Sequence, residues 1–137
     1  MILIRYFLMM IVASLCTSAA AQTITLSNGP VIPGGTTPSG ANAVAAASFN
    51  LARSGANSLF TALTLVNGGT ATGSDYVRYQ LWRENDNNGQ FSGGDLLLAG
   101  ANSPSLAFSG FSTQVPVSGA TFYISVDVAT GATDGRT

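Results

Sequence analysis

The feature that most constrains the fold is the strict alternation of apolar and polar residues in the segment Thr121–Val128. The apolar positions are Phe122, Ile124, Val126 and Val128, and the others are Tyr123, Ser125 and Asp127. A period of two places the two sets on opposite faces of a β-strand. The segment therefore predicts a strand with one buried face and one wet face, on which Asp127 is solvated.

Shorter segments of strand character recur between turn-rich stretches. They are Thr23–Leu26, Ala43–Ala52, Leu59–Val66, Tyr76–Arg83, Leu96–Leu98, Leu106–Phe108 and Val115–Val117. The stretch Gly29–Gly40 contains prolines, which exclude a helix and suit an extended edge segment. No convincing amphipathic helix interrupts the series. We predict an all-β fold, an antiparallel immunoglobulin-like sandwich of about 7–8 strands.

Alternation within two of these segments predicts which side chains share a face. In Leu59–Val66, it places Leu59, Leu63 and Leu65 together. In Tyr76–Arg83, it separates Val77, Tyr79 and Leu81 from Arg78, Gln80 and Trp82. We interpret Trp82 as the core tryptophan that such sandwiches often carry. The alternative is a sugar-stacking platform formed by Trp82 with Tyr76.

The N-terminus has the three parts of a secretory signal peptide. Arg5 precedes an apolar run, Tyr6–Leu15, and small residues lead to a cleavage site after Ala21. The run is too short for a membrane span, which needs about 20 apolar residues. We therefore predict a signal peptide at residues 1–21 and a secreted domain at 22–137 with no membrane span. Lipidation at Cys16 is a competing interpretation.

The end of the chain predicts an incomplete sheet. Thr121–Val128 is followed only by the turn-rich Thr130–Thr137. A sandwich usually places a further strand beside its last one, and without it an edge of unpaired backbone groups faces solvent. We expect either that the full protein continues past Thr137 or that a partner's strand fills the gap.

Composition excludes most catalytic chemistry after residue 21, because that part has no Cys, His or Lys. Ser-His, Cys-His and Ser-Lys pairs cannot be built, and zinc lacks its usual ligands. A two-carboxylate glycosidase site of Glu84 with Asp127 is less favoured than a solvated Asp127. The net charge of −1 gives no electrostatic footprint for nucleic acid. We predict a protein that is not an enzyme.

One loop carries chemistry, the twelve residues 84–95 with the sequence ENDNNGQFSGGD. Their spacing is that of an EF-hand calcium loop, which offers oxygen ligands at alternate positions around a central glycine. The predicted Ca²⁺ ligands are the side chains of Glu84, Asp86, Asn88, Ser92 and Asp95 and the carbonyl of Gln90. Phe91 would anchor the loop in the core.

The loop departs from the EF-hand pattern at three positions. Glu replaces Asp at the first position, Ser is neutral at the ninth, and Asp replaces the bidentate Glu at the twelfth. These changes predict weak affinity, about 10⁻⁴–10⁻³ M. The alternative is a metal-free turn, because Asn, Asp and Gly are also common in β-connections.

The run Leu81–Leu98, a strand, an Asp/Asn-rich loop ending in Gly-Asp and another strand, resembles secreted bacterial immunoglobulin-like surface modules. Its loop is also similar to the calcium loop of dockerins, without their paired helices and second loop. The resemblance implies an extracellular, multi-domain, non-catalytic protein.

We therefore predict a structural or adhesive module at the cell surface with a calcium-binding loop. Its expected partners are polysaccharide or neighbouring surface domains. The alternatives are a carbohydrate-binding module of a secreted hydrolase and a strand-exchanging subunit of a surface fibre.

Overall fold

The computed structural model describes residues 2–3 and 22–134, and the rest of the predicted signal peptide lies outside these ranges. The strands are β1 (Ile2–Leu3), β2 (Thr23–Asn28), β3 (Thr36–Thr37), β4 (Val44–Ser54), β5 (Ser58–Phe60), β6 (Leu63–Thr64), β7 (Tyr76–Arg83), β8 (Leu96–Asn102), β9 (Ala107–Phe108), β10 (Thr113–Val115) and β11 (Ala120–Val128). A single 3₁₀ turn at Gly73–Asp75 is the one helical element among the described residues. No helix in that part of the chain has the length and apolar character that crossing a membrane requires.

The strands form an antiparallel β-sandwich, which confirms the predicted all-β class. Five strands make the main sheet in the order β2-β4-β11-β7-β8, and every neighbouring pair is antiparallel. The pairs β5–β10 and β6–β9 form the second layer, and β1 pairs with β3. More strands are present than we predicted because several are only two or three residues long.

The core lies between the main sheet and the short pairs. Phe122 on β11 stacks on Phe49 of β4, with ring centroids 5.3 Å apart, and meets Phe60 of β5 edge-on at 5.2 Å. Burial of each such ring is worth about 1.5–3 kcal/mol. The other large apolar side chains of this core are Leu51, Leu63, Leu65, Tyr79, Leu81, Phe108, Phe111, Val115, Ile124, Val126 and Val128. Apolar burial thus stabilises a domain that has no disulfide after residue 21.

The wet face predicted for β11 is wrong. Tyr123 and Ser125 are both 0% exposed, and Asp127 is buried as well. The reason is that β11 is the central strand of the sheet, and its second face is contacted by Arg78 and Trp82 of β7 and by Phe91. Asp127 is held there by Arg78 and by the backbone N–H of Ala43, so it is a buried structural acid and not a solvated one.

The open edge predicted beside β11 is also wrong. β4 pairs with one side of β11 and β7 with the other, and the edges of the main sheet are β2 and β8. The expectation of further chain or of a partner's strand after Thr137 was based on that open edge, and it stays a prediction.

The single strand predicted at Leu59–Val66 is two strands, β5 and β6, with different partners. Phe60 and Leu63 both point into the core, while Leu59 is 62% exposed. Grouping Leu59 with Leu63 was wrong because the break after Phe60 shifts the alternation by one residue.

A β-bulge changes the faces predicted for β7. The register shifts where Val128 pairs with Tyr76, which leaves Val77 without a partner on β11 and 57% exposed. Tyr76 therefore turns to the core side, where its ring lies 5.4 Å from that of Tyr79. Tyr76 does not share a face with Trp82, so the platform formed by these two residues is wrong.

Candidate metal centre

The loop of residues 84–95 joins two neighbouring strands of the main sheet, β7 and β8. Glu84 directly follows β7, and its N–H donates to the carbonyl of Thr121 on β11 at 3.0 Å. Asp95 directly precedes β8. The chain reverses through left-handed residues at Asn87 (φ 57°) and Gly89 (φ 70°). The strands therefore hold both ends of the loop, and its glycine-rich centre makes the turn.

Three acidic side chains converge inside this loop. One carboxylate oxygen from each of Glu84, Asp86 and Asp95 lies within 4.8 Å of the other two. Asp95 is buried, Glu84 is partly buried and Asp86 is exposed. Because like charges at this separation repel, a cation among them would stabilise the arrangement.

Hydrogen bonds from the loop itself hold two of the acids. Asp95 accepts the backbone N–H of Asn85 at 3.2 Å and that of Ser92 at 2.8 Å, one on each oxygen. Asp86 accepts the hydroxyl of Ser92 at 2.7 Å. That hydroxyl is the main reason that the pKa of Asp86 lies below its usual value.

Gly94 leaves room for the Asp86 carboxylate in the same arrangement. A Cβ atom at Gly94 would collide with the carboxylate of Asp86, whereas one at Gly93 would meet no other atom within 4 Å. The Asp86 carboxylate therefore occupies the space that a side chain at position 94 would take.

The third acid, Glu84, is bound on one oxygen only. Its Oε2 accepts the hydroxyl of Tyr123 at 2.9 Å and the N–H of Gly89 at 3.1 Å. Its Oε1 is buried and has no hydrogen-bond partner. Burial and the adjacent Glu84 carboxylate raise the pKa of Tyr123 well above its usual value, so its phenol stays a proton donor.

Aromatic rings anchor the loop to the outer face of the main sheet. The ring of Phe91 lies 5.4 Å from that of Trp82 and 5.8 Å from that of Tyr123. Trp82 pairs with Tyr123 across β7 and β11, and its Nε1 donates to the Ser125 hydroxyl at 2.9 Å. Trp82 is only partly buried and faces away from the core, so its interpretation as the core tryptophan was wrong. The anchor predicted for Phe91 exists on this outer face and not in the core.

The structure brings together four of the six residues predicted to bind the ion, namely Glu84, Asp86, Ser92 and Asp95. The Asn88 side chain presents its amide nitrogen to Asp86 at 2.8 Å, while its Oδ1 accepts the N–H of Gln90. Asn88 therefore shapes the turn in this structure. Sequence reasoning missed Tyr123, whose only signal was a hydroxyl-bearing aromatic residue at a position assigned to the wet face.

Comparison with protein-family models, with curated proteins and with solved structures finds no match for this chain.

Proposed function

We propose that this protein is a secreted, non-catalytic structural or adhesive module whose β7–β8 loop binds Ca²⁺. The observation that carries the proposal is the buried, unpartnered Oε1 of Glu84 beside the carboxylates of Asp86 and Asp95. A buried polar atom without a partner costs about 1–3 kcal/mol, and more when it is charged. A bound cation would remove that cost and the mutual repulsion of the three acids.

The donor set favours calcium over transition metals. The three carboxylates and the Ser92 hydroxyl are hard oxygen ligands, which suit Ca²⁺, and no His or Cys is present after residue 21 to attract zinc. Backbone carbonyls of the loop, such as that of Gln90, are available to complete the six to eight oxygens that Ca²⁺ takes.

The role proposed for the ion is mechanical. Glu84 is the first residue after β7, and Asp95 is the last residue before β8. A ligand bridge between them would clamp the two strands at the end of the main sheet and fix the direction in which the loop projects. A rigid loop of this kind would orient a neighbouring domain or a binding surface.

The surface-module context rests on the resemblance of Leu81–Leu98 to bacterial immunoglobulin-like modules, on the predicted signal peptide and on the observed β-sandwich. Carbohydrate binding is a weaker second candidate. It is favoured by the outward position of Trp82, but Phe91 lies edge-on against that ring, and Tyr76 lies on the other face.

Calorimetric titration of the purified secreted protein with Ca²⁺ tests the proposal. We expect saturable binding with a Kd of about 10⁻⁴–10⁻³ M. Asp86→Asn should weaken it at least tenfold, because a charged ligand is lost. Gln90→Ala is the matched control, since it lies in the same loop and keeps the backbone carbonyl. No heat at millimolar Ca²⁺ would overturn the proposal.

A further inference from the structure

Tyr123 has a hydroxyl in a place where packing alone does not require one. The residue lies in the middle of β11, is fully buried, and packs its ring against Phe91. Phenylalanine would fill the same volume there. The hydroxyl donates to Oε2 of Glu84 at 2.9 Å. The Tyr123 hydroxyl therefore bonds to a residue of the loop, although Tyr123 itself lies in the sheet.

The two carboxylate oxygens of Glu84 differ in their hydrogen bonding. Oε2 receives two donors, the Tyr123 hydroxyl and the Gly89 N–H, and Oε1 receives none although it is buried. Two donors on one oxygen orient the carboxylate and leave the other oxygen without a donor. This is how the supporting residues of a metal site commonly orient a ligand.

The Tyr123 donor is fixed by the sheet, whereas the Gly89 donor belongs to the loop. Tyr123 pairs with Ser48 of β4 on one side and with Trp82 of β7 on the other. Its position is thus set by the most extensively paired strand of the fold. An ion ligand held from this strand is in place before the ion arrives, which reduces the ordering cost of binding.

We propose that Tyr123 is a positioning residue for the cation ligand Glu84 and couples the loop ion to the central strand of the main sheet. This inference rests on the calcium site proposed above. It goes further in assigning the preorganisation of that site to a residue outside the loop, on a different strand.

A structural role alone makes a different prediction. If the Tyr123–Glu84 hydrogen bond only stabilises the fold, its loss lowers the melting temperature equally with and without Ca²⁺ and leaves the Kd unchanged. If Tyr123 positions the ligand, its loss weakens Ca²⁺ binding beyond any change in the metal-free protein.

The test compares Tyr123→Phe with Thr121→Val. Thr121 is a matched control because it lies on the same face of β11 and donates its hydroxyl to Oδ1 of Asn50 on β4, away from the loop. Calorimetry with Ca²⁺ gives the Kd of each variant, and thermal unfolding in EDTA gives its metal-free stability. We expect about a tenfold rise in Kd for Tyr123→Phe and less than a twofold change for Thr121→Val. A Kd for Tyr123→Phe within twofold of wild type would overturn the inference while leaving the calcium site intact.

A second measurement needs no variant. In a Ca²⁺ titration of the wild-type protein followed by NMR, the Tyr123 ring carbon that bears the hydroxyl should shift with the same saturation as the calorimetric heat. An unmoved Tyr123 signal in a protein that binds Ca²⁺ would contradict the coupling. Absence of any Ca²⁺ binding by wild type would remove the proposed site and this inference together.

Discussion

The carboxylate of Asp127 on β11 accepts two hydrogen bonds on one oxygen from the guanidinium of Arg78 on β7, from Nε at 2.9 Å and from Nη2 at 2.6 Å. Its other oxygen accepts the N–H of Ala43 at 2.8 Å. The Asp127 side chain is 6% exposed and that of Arg78 is 47% exposed. The ion pair thus joins two central strands and also holds Ala43, which has a left-handed φ of 51°.

Asp127→Asn should therefore destabilise the protein, because it removes the charge that Arg78 pairs with on a buried face. We expect a loss of about 3 kcal/mol in the free energy of unfolding, at the low end for a broken buried pair because Arg78 is half exposed. Urea unfolding measures it. A double-mutant cycle with Arg78→Gln isolates the pair, and a change under about 0.5 kcal/mol would instead fit the solvated Asp127 of the sequence prediction.

Two adjacent residues of β5 should differ sharply in their contribution to stability. Phe60 packs against Phe49, Phe111 and Phe122, so Phe60→Ala should cost about 3–5 kcal/mol. Leu59 is exposed, so Leu59→Ala should change stability by about 0.5 kcal/mol or less. Chemical denaturation of both variants measures the contrast. The reverse order would mean that the break between β5 and β6 is misplaced.

Gly94→Ala should weaken Ca²⁺ binding, because the new methyl group would collide with the Asp86 carboxylate and displace it from the cluster. We expect at least a tenfold rise in the calorimetric Kd. Gly93→Ala is the adjacent control, since a Cβ atom there meets open space. Equal binding by the two variants would show that Asp86 does not have to stay where the structure places it.

The raised pKa values of three tyrosines predict that the protein loses stability at alkaline pH. The pKa values of Tyr76, Tyr79 and Tyr123 are all raised from 10.0, with burial the largest cause. The unfolded chain therefore loses these protons at a lower pH than the folded protein does. Stability from this source is fully present below about pH 10 and falls as the pH rises through the folded values. Ultraviolet titration of the chain after residue 21 should show tyrosinate forming at a lower pH in urea than in the native protein. Equal titration curves would contradict the burial of these phenols.

The sequence predicted the strand at Thr121–Val128 because alternation is a local property of the chain. It did not predict that Ser125 and Asp127 are buried, because that depends on which strands become the neighbours of β11. Pairing partners lie far apart in sequence, as with β4 and β7 on either side of β11. An alternating pattern shows that a strand has two chemically different faces, but not whether its polar face is covered.

For the candidate site too, the sequence predicted the local part and missed the part that depends on strand pairing. The acids of the loop are close in sequence, so their spacing was enough to predict that Glu84, Asp86 and Asp95 could converge. The contribution of Tyr123 comes from a strand 39 residues away, and no spacing rule predicts it. The bulge that separates Tyr76 from Trp82 is likewise a property of the pairing between β7 and β11.

The central claim is that a cation completes the coordination of Glu84. A crystal structure of the protein grown with 10 mM Ca²⁺, about 10–100 times the expected Kd, tests it most directly. We predict one ion bound by Oε1 of Glu84 and by the carboxylates of Asp86 and Asp95, at about 2.3–2.6 Å from each oxygen. A loop without an ion, with Oε1 of Glu84 still lacking a ligand, would contradict the account.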